Sequence, residues 1–164
     1  MHLKLNTLLL LIAGVMLLLV SAVAVVKVWP LLFPKVHMAA VVDPSCDLRA
    51  GPCTSTLPGG ASVTFSIEPR SIPVVRPLQF EVDLQGLEAK GVQIDFSGVD
   101  MNMGFNRPTL QEQAPGHYTG EGRLPVCVRD AMEWEARVLI ETDDGLVSAP
   151  YRFITVKPGM QPPG

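Results

Sequence analysis

The sequence predicts an all-β domain, an immunoglobulin-like antiparallel β-sandwich, preceded by one N-terminal transmembrane helix. Three observations carry this expectation. Apolar and polar residues alternate strictly in several short runs, the pattern of strands with one dry and one wet face. Turn residues separate those runs at spacings that suit a sandwich. The stretch 8–28 is broken only by Ser21 and Lys27, and an apolar run of that length can cross a bilayer as one helix. No later segment sustains helical periodicity, and no internal repeat is present.

Taken in order, residues 1–7 read as a short N-terminal tail and 8–28 as a membrane anchor. Ala22-Val23-Ala24 offers a small-x-small site of the kind that ends a cleaved signal. Against cleavage, the apolar run continues through Val25, Val26 and Val28 to Trp29, a residue favoured at membrane interfaces, and Lys27 can snorkel. An uncleaved anchor is preferred. Lysines do not decide its orientation, since Lys4 precedes the run while Lys27 and Lys35 follow it. The short leader is too small to be the functional part, so the N-terminus is expected inside and the domain on the extracytoplasmic, periplasmic side of the inner membrane. The segment 29–36, with WPLLFP, reads as a stiff non-helical linker because it holds two prolines.

The β domain is placed at 37–157 and a disordered tail at 158–164. Strand-period runs occupy 62–68, 78–84, 92–97, 133–141 and 151–156. Their inward faces are Val63, Phe65 and Ile67; Leu78, Phe80, Val82 and Leu84; Val92, Ile94 and Phe96; and Trp134, Ala136, Val138 and Ile140. Pro58-Gly59-Gly60, Gln85-Gly86, Ala114-Pro115-Gly116 and Asp143-Asp144-Gly145 punctuate them. Asp144-Gly145 is a strong hairpin signal. Gly116-His117-Tyr118 has the form of a tyrosine corner, in which the hydroxyl bonds back to the main chain.

The chain of 164 residues carries a formal net charge of -3, and three of its 13 Lys and Arg flank the apolar run, so the domain itself is more acidic. An acidic domain without a basic face argues against nucleic acid as a partner. The three cysteines, Cys46, Cys53 and Cys127, allow one disulfide in an oxidising compartment, with three pairings open. The Gly51-Pro52 turn favours Cys46–Cys53, with a bridge to Cys127 as the competitor.

No phosphate loop, zinc-type cysteine spacing or nucleophile elbow is present, so the chain is not read as an enzyme. The best chemical candidate is Met101-Asn102-Met103 in a polar stretch rich in Gly, Asn and Pro. Thioethers are soft neutral ligands that select Cu(I), and two at alternate positions of an extended segment face one way. A third ligand is needed, and His117 and Cys127 are the candidates. A hairpin tipped at Pro115-Gly116 brings position 104 beside Cys127, though Pro108 and Pro125 interrupt such a ladder. The competing reading makes both methionines gap-filling packing residues. His117 beside a turn also suits a surface hydrogen-bonder, and His37-Met38 reads as part of a flexible juxtamembrane segment.

From Leu78 to Val156 the layout resembles the YtkA-like/FixH-like family of membrane-anchored extracytoplasmic domains. The resemblance rests on Met101-x-Met103, then Gly116-His117-Tyr118 before a strand, then the Trp-containing strand Met132-Glu133-Trp134-Glu135-Ala136-Arg137-Val138. It implies an immunoglobulin-type sandwich linked to copper handling and to assembly of haem-copper respiratory oxidases. Asn102 stands where that family commonly has Pro, and the CDLRAGPC element with Cys127 lies outside the pattern. Two functions are therefore expected as alternatives. One is a Cu(I)-binding or respiratory-oxidase-assembly accessory factor. The other is a non-metal, non-catalytic interaction module, presented by its membrane helix to an oxidase or another membrane complex.

Overall fold

A computed structural model describes residues 2–32, 36–126, 129–157 and 159–160. The chain divides into two units, 1–35 and 36–164. The first is helix α1, His2–Leu32. Its stretch Leu10–Trp29 has a mean hydropathy of 2.6 and is long and apolar enough to cross a membrane. The side chains from Leu10 to Trp29 are exposed, and all but Ser21 and Lys27 are apolar or small, as suits a helix solvated by lipid. The helix is longer at both ends than the apolar run. It takes in the expected tail, where Leu3 and Leu5 are good helix formers. It also passes through Pro30, so the linker expected from residue 29 is helical as far as Leu32. Unpaired carbonyls are costly in an apolar stretch, and helices of this kind tolerate proline. Most of the expected disordered tail, at 158 and 161–164, lies outside the described residues.

The second unit is all-β. Its strands are β1 Val36–Ala39, β2 Cys53–Thr56, β3 Ser62–Glu68, β4 Leu78–Gln85, β5 Gly91–Gly98, β6 Thr109–Ala114, β7 His117–Gly122, β8 Ala131–Thr142 and β9 Gly145–Val156. They form one sheet in the order β1-β9-β8-β5-β6-β7-β4-β3-β2. The expectation of a wholly antiparallel arrangement needs correcting, because β1 runs parallel to β9, with Met38 opposite Val147. His37 and Met38 thus belong to a strand rather than to a flexible segment.

Alternation places the core as expected. In β4, Leu78, Phe80, Val82 and Leu84 are buried and every intervening residue is exposed. The inward faces of β3, β5 and β8 are likewise buried. The sheet curls so that strands far apart in its order share one core: Phe65 on β3 lies 5.3 Å from Tyr151 on β9, and Phe80 on β4 lies 5.0 Å from Phe96 on β5. Strand β6 makes the corner. It pairs with β5 only through Leu110 and Thr109, then with β7 across a register shift between Glu112 and Ala114.

The turns follow their residues. Thr142 pairs with Gly145, closing the β8–β9 hairpin at Asp143-Asp144. Gly116 has φ 77°, and a Cβ there would stand 2.9 Å from the Leu84 carbonyl oxygen, so only glycine fits both the left-handed backbone and the close approach. Cys46 and Cys53 form the favoured disulfide, with Cα atoms 5.7 Å apart. Leu48 inside that loop is buried, and the Arg49 guanidinium donates to the Ile154 carbonyl on β9. The Tyr118 hydroxyl reaches the main chain, at the Ala89 carbonyl 3.4 Å away. That bond spans 29 residues, unlike the local one of a tyrosine corner.

Candidate functional site

The methionine loop leaves β5 at Gly98 and returns at Thr109. Main-chain bonds hold both its flanks. Val99 donates to the Glu133 carbonyl at 3.0 Å, Phe96 to that of Asn106 at 2.9 Å, and Ile94 to that of Pro108 at 3.0 Å. At the tip, the Asn102 side-chain oxygen accepts the Gly104 N–H at 2.8 Å, and Gly104 has φ 80°. Asn102 thereby shapes the turn through a local side-chain bond. The Asn106 amide donates to the Arg123 carbonyl at 3.0 Å, tying the loop to the segment after β7.

Residues 97–104 line an open hollow of about 380 Å³. Met101 and Met103 are half-buried there with Asn102 exposed between them, and both pack against the core. A third methionine joins them. Gly98 is the next inward position of β5 after Phe96, and it pairs with Trp134. A Cβ at Gly98 would overlap the Met132 terminal methyl and the Met101 carbonyl, and would stand 3.3 Å from Met103 Cγ. Met132, on β8, is 6% exposed. The Met132 and Met103 side chains thus meet at one glycine, with the Met101 main chain beside them.

His117 is not among them. It stands at the start of β7, six residues before Arg123, and a strand rises roughly 3.4 Å per residue, so about 20 Å separates it from the loop's tie point. The grouping of His117 with Met101 and Met103 is therefore corrected: cross-strand register fixes His117 opposite Asp83 on β4, at the other end of the strand. Cys127 lies outside the described residues.

His117 instead joins two carboxylates. Its Nδ1 lies 2.7 Å from Asp83 Oδ1 and its Nε2 3.4 Å from Glu81 Oε1. Potential ligand atoms of the three residues fall within 4.8 Å of one another. One imidazole with carboxylate oxygens suits a harder cation than Cu(I). With both ring nitrogens facing carboxylates, the arrangement favours the protonated imidazole. The hydrogen bond to Asp83 raises the His117 pKa above 6.5, partial desolvation opposes it, and the Asp83 and Glu81 charges add to the rise. The folded state therefore holds this proton more tightly. The resulting stabilisation is full below the unfolded value and is lost as pH rises through the folded one. An NMR titration should find His117 above 6.5, and Asp83→Asn should bring it down. A His117 pKa unchanged by Asp83→Asn would show that the carboxylate does not hold the imidazolium.

Met132 and Gly98 are the residues that sequence reasoning missed. In the sequence Met132 stands just before the alternating run 133–141 and carries no ligand signal of its own. The signal lies in Gly98, a glycine at an inward strand position, which marks a bulge or a close approach. No family model matches the chain, and neither does any curated protein or solved structure.

Proposed function

We propose that this protein is a membrane-anchored extracytoplasmic domain that binds Cu(I) at Met101 and Met103 and serves assembly of a respiratory oxidase. The observation that carries the reading is that Met101 and Met103 both line one open hollow beside Gly98. Soft neutral sulfur selects Cu(I) over harder ions and stays competent where thiolates oxidise. The long apolar helix supports anchoring to a membrane, and tethering raises effective concentration near a membrane-bound recipient. The side chains at the hollow fit the ion by donor chemistry: when bound, Cu(I) would be cargo or a resident centre, and the thioethers would hold it. We read the curled sheet as an immunoglobulin-type sandwich whose strand-end loop presents the site. In this proposal the protein has no catalytic role.

Anaerobic competition of the detergent-solubilised full chain with a Cu(I) chelator tests the reading. One equivalent should bind, and Met101→Leu/Met103→Leu should lose it while keeping the fold, because Leu conserves the volume and apolarity of Met. Equal uptake by both proteins, or none by the parent, would refute it. One feature favours the alternative interaction module. Phe105, in the same loop, is 82% exposed, with the Arg107 guanidinium 5.0 Å from its ring centre. In that reading the exposed Phe105 ring would anchor a protein partner.

A further inference from the structure

We propose that Met132 is the third thioether of the Cu(I) site, approaching from the core side while Met101 and Met103 approach from the loop. The inference rests on the Cu(I) reading of that loop and adds a ligand to it from a distant strand. Two neutral sulfurs alone make a weak site, and His117 stands at the opposite end of β7 beside Asp83. Among the described residues, Met132 is where a third sulfur is available. Its terminal methyl and Met103 Cγ converge on the point that a Gly98 Cβ would occupy, and its sulfur is one bond from that methyl.

Gly98 explains how this approach is made. Position 98 faces inward in line with Val92, Ile94 and Phe96, all of which are buried. A side chain there would add to the core, and glycine weakens a strand interior by losing both entropy and packing. What glycine permits is the entry of Met132 and the Met101 carbonyl into the space of its missing Cβ. The ladder makes the geometry firm. Gly98 pairs with Trp134, and Met132 lies two residues away on the same inward face of β8. The remaining thioether thus comes from a rigid strand, which pre-organises the site more than a loop residue would.

Packing alone would ask only for an apolar side chain of this volume, so Met132→Leu separates the two roles. The substitution conserves volume and should leave the fold intact. Even outer-shell changes cost roughly tenfold or more in metal affinity, so chelator competition with the full chain should show Met132→Leu weakened by at least about tenfold. Methyl NMR of the unsubstituted chain, titrated with Ag(I) as a soft probe, gives a readout independent of that variant. Of the seven methionines, the methyl signals of Met101, Met103 and Met132 should shift together and saturate at one equivalent. If Met132→Leu keeps the parent's Cu(I) affinity, or the Met132 methyl stays put while those of Met101 and Met103 move, Met132 only packs and the proposal falls, with the copper reading intact. If the parent takes up no Cu(I) and no methyl moves, both fall together.

Discussion

Trp134→Ala is expected to destabilise the β domain by about 3–5 kcal/mol, the range for losing a large buried aromatic. Trp134 is fully buried on β8, where it pairs with Gly98 on one side and Phe153 on the other. Its indole N–H donates to Thr155 Oγ1 at 2.9 Å, and Thr155 is itself 3% exposed. Truncation therefore opens a cavity and also strands a buried hydroxyl, which adds its own desolvation cost. Trp134→Phe separates these effects. It loses the donor but keeps a large part of the aromatic bulk, so its cost should be the smaller. Urea unfolding followed by far-ultraviolet circular dichroism measures both. A Trp134→Ala loss under about 1 kcal/mol would contradict the burial, since only surface sites behave so.

The strands legible in the sequence are those with one wet and one dry face. In β4 the sequence LQFEVDL states its own burial, and β3, β5 and β8 do so nearly as well. Elements that draw their structure from neighbours are less visible. β1 and β2 are four residues each, at the two ends of the sheet order, and hydroxyl-rich Thr54, Ser55 and Thr56 show no alternation of hydropathy. Pro150 hides the first half of β9. That residue is tolerated because β1 pairs only with 146–148, leaving β9 an edge beyond them, where a missing N–H costs no ladder bond. The candidate site is half legible. Met101 and Met103 are neighbours in sequence and remain neighbours in space. Met132 reaches them only through the β5–β8 pairing, a long-range register that local pattern cannot supply. Residue type alone points to His117, and type says nothing about which end of a strand it occupies.

The domain should lose stability on alkaline titration between pH 10 and 12, and Tyr151 should account for much of the loss. Burial pushes the Tyr151 hydroxyl up from 10.0 to about 12, with the hydrogen bond to Ser55 opposing. The residue is 2% exposed and its hydroxyl donates to the Val63 carbonyl at 2.6 Å, a contact that the phenolate cannot make as donor. Because the folded-state value is raised, the folded protein holds the proton more tightly than the unfolded chain. The stabilisation is full below pH 10, where both states are protonated, and it drains away as pH climbs through the folded value. The interval between the two values corresponds to a stabilisation on the order of 3 kcal/mol. Tyr118, the only other tyrosine in the chain, is raised by burial and then by Glu112, so it pulls in the same direction. Tyr151→Phe should cost about 1 kcal/mol at neutral pH, the net value of one hydrogen bond. It should then lose stability more slowly than the parent above pH 10, so that the two curves draw together and then cross below pH 12. Unfolding free energies measured across this range, beside an ultraviolet titration of tyrosinate, decide the matter. Parallel curves for parent and variant would mean that the Tyr151 proton is not the one linked to the fold.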